Sequence, residues 1–582
     1  MRKGNRIYGI ITVLLMSLGA CSLIHDDMEE LGYREDGSAY AYVSLTIHTG
    51  TAGNVTRANP TGGETGDGYE DGQTYENAVS NLTLFFYPAA LDDGGVNRNG
   101  DIEFTAKVYI TNPDPNWDMT NGDQPIDKTF TVGPVKVEGL KTNQQYHVLA
   151  VANAGDKTNI SSLEALRSET VSTVYTATTT DNKTSYSDFV MASEGDEHPE
   201  LDIRYGNSEI NPATTTIDLE RLVARVDYKT NENNEYTLSS SLITPGLNPA
   251  QVTASITRAF LVNTYNQDTY VLKRVAEGRT NGTITYLGDE NLNNYVIDPN
   301  TTSKMIPVVN DAPSWYDHYF PILSDENTEW ESWLIEGDEV IDPDNTQEAW
   351  LRLGYPKENT SSIDAQGKYY STGVVFEAEY NLGTGFTTGE TFFLVNGTTL
   401  YATLEDAMKA HNNNKFEENR SFSSSANPYA ELQAYMGVLE DNDPAGYKAF
   451  LQTAKETDTD WTVYEWANYK SNQLGYTEGE PTAVTRKALH DRVTGPNKTE
   501  TFLNGRGYYT YWIRHNYGDK DNVVSGLPME NAIVRNNIYK LTVRSIKEIG
   551  NDVPGDKTLD ILVAVAKWNV LEGEDIELQP TN

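Results

Sequence analysis

The sequence predicts an all-β fold of β-sandwich domains with polar loop insertions and a few short helices. Three observations predict it. Short apolar runs with strand periodicity recur along the whole length, most of them closed by Gly, Pro, Asn or Asp. The chain is rich in Thr and Asn and carries 36 Tyr and 45 Gly, which suit sheet surfaces and turns. It has a single cysteine, so no internal disulfide can form and stability must come from burial and strand pairing. At 582 residues it can bury large cores, in two or more domains.

The N-terminus reads as an export signal. Arg2, Lys3 and Arg6 precede the apolar run Ile7 to Leu18, which is too short to span a bilayer. The run ends in Leu18-Gly19-Ala20-Cys21, small residues before a thiol, as a lipoprotein signal peptidase requires. Residues 1–20 are thus the expected signal peptide, and acyl chains on Cys21 would anchor the precursor by burying methylenes. Ser22 follows Cys21, where an Asp would favour inner-membrane retention.

Ala39 to His48 alternates: Ala41, Val43, Leu45 and Ile47 share one face, with polar residues and Tyr42 on the other. That is a half-buried strand. Thr49 to Gln73 then reads as an exposed loop. Within it Arg57 is the only Lys or Arg between Arg34 and Arg98, set among small and turn-forming residues. A cut between Arg57 and Ala58 would discard the lipid and the strand together. Further strands are expected at Asn81 to Tyr87, Tyr146 to Ala152, Thr216 to Tyr228 and Ser255 to Asn263. Others are expected at Gly373 to Tyr380, Tyr508 to Arg514, Ile538 to Ile549 and Thr558 to Val570. Helices are expected at Ser162 to Ser168, Leu404 to Asn412 and Asn427 to Leu439. In the last strand Leu559, Ile561, Leu562, Val563, Val565 and Trp568 put apolar groups on both faces, which favours burial on two sides or insertion into a groove.

Little in the chain suggests chemistry. Lys and Arg number 44 against 85 acids, a net charge of −41, which repels phosphate backbones and excludes nucleic acid as a partner. There is no Gly-x-Ser-x-Gly elbow, phosphate-binding loop or His-Glu-x-x-His helix. The eight histidines are scattered, and His515 reads as a strand-end hydrogen bonder. The loops Asp67 to Gly72 and Asn97 to Glu103 miss the EF-hand pattern. Tyr508, Tyr509, Tyr511 and Trp512 suit sheet packing better than sugar stacking. The reading is a non-enzyme with no catalytic residues, cofactor or metal.

Several segments resemble the Bacteroidales fimbrillins, the shaft subunits of the type V pilus. They are Tyr75-Glu76-Asn77-Ala78-Val79, Val151-Ala152-Asn153-Ala154-Gly155 and Phe189-Val190-Met191-Ala192-Ser193. Next come Leu219-Glu220-Arg221-Leu222-Val223-Ala224-Arg225-Val226, then the run from Ile533 to Leu541 (IVRNNIYKL), and Val563-Ala564-Val565-Ala566-Lys567-Trp568. The resemblance implies two transthyretin-like β-sandwich domains and lipoprotein export. It also implies removal of the N-terminal strand by an arginine-specific protease and polymerisation by strand exchange. The expected layout is a lipid-anchored propeptide at 21–57 and domains at 58–275 and 276–555, with insertions in the second. A donor segment follows at 556–582, without which the second domain would still be complete.

A sandwich lacking one strand exposes unpaired backbone and an apolar groove. Ala41, Val43, Leu45 and Ile47 would plug that groove in the precursor, and after cleavage a neighbour's last strand would fill it, as in donor-strand complementation of another pilin system. The expected partners are other copies, other fimbrial subunits, the protease, the outer membrane through the lipid, and host or bacterial surface ligands. The expected location is a surface fimbrium serving adhesion or biofilm formation. The alternatives are a fimbrial tip or accessory adhesin and a surface glycan-binding lipoprotein.

Overall fold

A computed structural model of the chain describes residues 40–49, 72–89, 101–113, 129–411, 442–448 and 499–567, with short gaps inside the longer spans. Cys21, Arg57, Ala58, Trp568 and the helix expected at Asn427 to Leu439 lie outside the described residues. The all-β expectation holds. Two β-sandwiches follow one another, and both expected helices within the described residues are present: α1 at Leu163–Ser168 and α2 at Leu404–His411. Ser162 caps α1, its hydroxyl accepting from Ala165 N.

The first sandwich comprises β1 (Tyr40–His48), β2 (Asn81–Pro88), β3 (Ala106–Thr111), β4 (Thr129–Glu138), β5 (Gln144–Ala152), β6 (Met191–Ser193), β7 (Glu200–Ile203) and β8 (Ala213–Arg221). The order is β3-β2-β5-β6-β8-β1-β4, with β7 also on β5. Strand β8 belongs to both layers: Ala213 to Asp218 pairs with β1, and Leu219 to Arg221 pairs with β6. The layers close over one core of Leu82, Leu84, Val148, Ala150, Ile217 and the inward side chains of β1. The opposite face of β2 and β5 is also covered: Phe85, Tyr87, Leu149 and Val151 pack with Val271, Tyr355 and Ile538 of the second sandwich. Burial on both faces explains why Asn81 to Tyr87 reads as a continuous apolar run.

The second sandwich sets β12 (Asp338–Ile341), β13 (Ala349–Gly354), β9 (Arg225–Lys229), β19 (Asn537–Ser545) and β20 (Asp560–Lys567) in one sheet, in that order. The facing sheet runs β10 (Tyr236–Thr237), β11 (Thr253–Val262), β14 (Gly373–Asn381) and β18 (Arg506–Trp512). A small flanking sheet holds β15 (Phe392–Val395), β16 (Thr399–Tyr401) and β17 (Thr499–Phe502). Val226, Leu541, Val374, Phe376, Tyr380 and Tyr509 contribute to the core between the layers.

Two expectations need correction. The single strand expected over Thr216 to Tyr228 is two strands, β8 and β9, one in each sandwich. The chain therefore crosses between domains at Leu222 to Ala224, well before the boundary expected after residue 275. All three linking residues are fully buried, so the apolar run continues through the crossing and leaves no polar linker in the sequence. Nor is the second sandwich complete without residues 556–582. Strand β20 pairs antiparallel with β19, and Leu559 and Ile561 belong to its core.

The junction carries buried charge. Arg225, Glu76 and Asp227 have no solvent exposure, and Arg225 lies 3.1 Å from Glu76 Oε2 and 2.8 Å from Asp227 Oδ2. Tyr355 donates its hydroxyl to Glu76. Arg221 donates to Glu76 O at 2.9 Å, to Asn77 Oδ1 and to Asn536 Oδ1, and burial pushes its guanidinium down to about 10. Arg535 pairs with Glu358 at 2.7 Å, and Lys273 with Glu220 at 2.5 Å. Removing one member of such a group strands a buried charge. Glu76→Ala should therefore lower the unfolding free energy by about 3–5 kcal/mol, read from the urea midpoint. Removing the exposed Arg204–Asp202 pair should leave that midpoint unchanged.

Candidate strand-exchange site

Strand β1 is an internal rung. Ala41, Val43, Leu45 and Ile47 are 2%, 0%, 0% and 0% exposed, all in the first core. On one side β1 runs parallel to β8, from Val43 opposite Ala213 to His48 opposite Asp218. On the other it runs antiparallel to β4, from Tyr40 opposite Glu138 to His48 opposite Thr129. Among the described residues, the ladder with β1 is the one sheet pairing of β4. Without β1, strands β4 and β8 would flank a gap two strand spacings wide, about 9.5 Å. Val43, Leu45 and Ile47 contribute about 1.5–3 kcal/mol each to filling it, as an upper bound.

Two details escape the sequence reading. His48 Nδ1 lies 2.7 Å from Asp218 Oδ1, tying the end of β1 to β8 across 170 residues of chain. The other is β4 itself, absent from the expected strands because Gly133-Pro134 in its middle reads as a turn. The strand instead carries a bulge there: Val135 faces Val43 and Val132 faces Leu45. Gly133 has φ +114°, and a Cβ at this position would stand 2.6 Å from Val43 O. The alternation of Phe130, Val132, Val135 and Val137, shifted by one across the bulge, was the available signal.

At the other end of the chain, β20 is an edge strand among the described residues, with β19 as its one sheet partner there. Leu559 and Ile561 are 5% and 8% exposed. Leu562, Val563 and Val565 lie in the strand opposite Thr542, Leu541 and Tyr539. The structure does not bring β1 and β20 together; they belong to different sheets.

The aromatic cluster on β18 serves packing. Tyr508 meets Trp330 edge-on at 4.7 Å, and Trp512 meets Phe320 at 4.9 Å. His515 is buried, with Nδ1 2.9 Å from the Tyr539 hydroxyl. Among the described residues no helix is long and apolar enough to cross a membrane.

The fold thus defines a tandem β-sandwich protein with its N-terminal strand as an internal rung. Residues 500–574 match the family model described as "Major fimbrial subunit protein type IV, Fimbrillin, C-terminal", so the resemblance to fimbrillins is borne out over this C-terminal region. No curated protein matches the chain in sequence. Among solved structures it is similar to a fimbrilin (fimA) from Porphyromonas gingivalis W83, at 13% identity, TM-score 0.32, covering 91% of this chain and 99% of that one. It is also similar to the tip fimbrial protein Mfa3 from Porphyromonas gingivalis, at 10% identity, TM-score 0.32, covering 91% and 100%. A third is a putative cell adhesion protein from Bacteroides eggerthii, at 9% identity, TM-score 0.33, covering 91% and 96%.

The bulge at Gly133 gives a direct probe of the rung. Gly133→Val should force β4 away from Val43 and loosen β1. Hydrogen exchange of the full-length chain should then quicken at β1 and β4 amides, while β14 and β19 amides keep their protection.

Proposed function

We propose that this protein is a structural shaft subunit of a bacterial surface fimbrium. In this reading it is exported as a lipoprotein on Cys21, cut after Arg57 by an arginine-specific protease, and polymerised by donor-strand exchange. The observation that carries the reading is the position of β1, whose removal opens one groove between two strands of an otherwise formed sheet. The fimbrillin match at residues 500–574 supports it. The mature chain starting at Ala58 retains Tyr75 to Asn77, so cleavage leaves the interdomain contacts of Glu76 in place.

The donor is the segment 556–582. Leu559, Ile561, Val563 and Val565 repeat the two-residue spacing of Ala41, Val43, Leu45 and Ile47, so the segment can offer four apolar groups at that spacing to a neighbour's groove. Exchange replaces one ladder, with β19, by two, with β4 and β8. Leu559 and Ile561 leave one core and enter another. The balance of ladders favours the joined state, and adhesion or biofilm formation follows from the fibre.

N-terminal sequencing of the surface-displayed protein tests the reading. Ala58 as first residue supports it; an acylated Cys21 on the mature chain supports a surface lipoprotein instead. Arg57→Ala should hold the protein as an uncut monomer by size-exclusion chromatography, and normal fibres from uncut Arg57→Ala chains would exclude this position as the switch.

Val563→Asp tests the donor. Desolvating an ionised carboxylate in an apolar groove costs more than the roughly 2–7 kcal/mol of an unpaired neutral polar group, unless it is protonated or paired. Cleaved Val563→Asp subunits should fail to elongate in electron micrographs, yet still cap a fibre through their own intact groove. Wild-type fibre lengths would exclude 556–582 as donor.

A further inference from the structure

The second domain contains a buried site unrelated to strand exchange. Asp298 follows the short strand Asn294–Ile297, Lys304 lies in the 3-10 turn Thr301–Met305, and Asn359 sits in the stretch after β13, bridged to Ile533. They are 3%, 0% and 1% exposed. Lys304 Nζ lies 2.6 Å from Asp298 Oδ2 and 2.8 Å from Asn359 Oδ1. The carboxamide is held in one orientation, since Asn359 Nδ2 donates to Tyr370 O at 2.6 Å and to Thr372 Oγ1 at 3.0 Å. Asp298 is fixed too, accepting from Asn300 N at 2.9 Å and Thr360 N at 3.1 Å. Aromatic rings wall the site: Nζ is 4.6 Å from the Tyr265 ring centroid and 6.0 Å from that of Tyr316.

This arrangement meets the requirements for acyl transfer from a carboxamide to an amine. The carbonyl bond of about 1.23 Å puts Asn359 Cγ within about 4 Å of Nζ, close to attack distance without backbone movement. Burial disfavours the Lys304 ammonium and pushes it below its ordinary value, although Asp298 opposes this. At this buried site a proton passing from Nζ to Asp298 turns an ion pair into two neutral groups and frees the nitrogen lone pair.

We propose that Lys304 and Asn359 join in an isopeptide bond that the folded protein forms on itself, with Asp298 as proton carrier. The Nζ–Cγ bond forms as the Cγ–Nδ2 bond breaks. Asp298 takes a proton from the attacking nitrogen and delivers one to Nδ2, which leaves as ammonia. Amine plus carboxamide become substituted amide plus ammonia, with no oxidation or reduction. The link closes a loop of 55 residues and ties the inserted segment to the stretch beside Ile533.

Peptide mass spectrometry of the full-length folded protein decides the matter. Trypsin should fail to cut after Lys304. A branched peptide should join the segments around Lys304 and Asn359, lighter than their sum by one ammonia. Lys304→Met, Asn359→Ala and Asp298→Asn should each abolish it, and Asp298→Asn, which keeps both partners, should unfold at a lower temperature than wild type. Full recovery of separate linear peptides from wild-type protein overturns the proposal. So does ammonia loss confined to Asn359 with Lys304 still cleavable, the mark of a succinimide. The wild-type digest decides even if a variant does not fold.

Discussion

The buried charge at the domain junction is the constraint on which the rest of the architecture depends. Fully buried Arg225 is satisfied by Glu76 from the first sandwich and Asp227 from its own strand, and beside it Arg221 of the first sandwich reaches Asn536 of the second. Transferring such groups from water is costly, and only a geometry that satisfies each of them offsets that cost. Displacing one sandwich against the other would break several of these contacts together. The junction therefore sets one relative placement of the two sandwiches, a property an apolar interface with many near-equivalent packings would not confer.

The same junction gathers segments that the sequence reading singled out separately. Tyr75 to Val79, Asn153, Phe189, Arg221, Arg225, Arg535 and Asn536 are far apart in sequence but neighbours here. Asn153 Nδ2 donates to Ala78 O at 2.7 Å and to Phe189 O at 2.8 Å, closing β5 onto the start of β2 and the approach to β6. Arg221 reaches Asn77 and Asn536. Polar residues with fixed partners leave a sharper trace in sequence than interchangeable apolar ones.

Much of the fold was legible, and the failures have physical reasons. Strand β1 could be read because one face is buried and the other is not, so its period is clean. The helix at Leu163–Ser168 could be read from its serine cap. The crossing at Leu222 to Ala224 could not, because a buried link lacks the polar composition of a loop. Strand β4 could not, because its bulge needs the Gly-Pro pair that elsewhere marks a turn. At the candidate site the apolar face of β1 was visible, whereas the His48–Asp218 contact joins residues that only the fold makes neighbours. Strand β20 was visible as a strand, but its place in the second core was not, since apolar residues on both faces fit a core edge and a groove equally well.

Strand β1 runs parallel to β8 and antiparallel to β4. Reversing a strand in a gap bounded in this way would exchange the two ladder types and change the pattern of every hydrogen bond. A contact made through such a gap cannot be its own mirror partner. It is heterologous, joining the groove face of one copy to a different face of the next. Objects joined by a contact of this kind point the same way along the assembly, and unless the rotation closes a ring the result is open at both ends, with two ends that differ chemically.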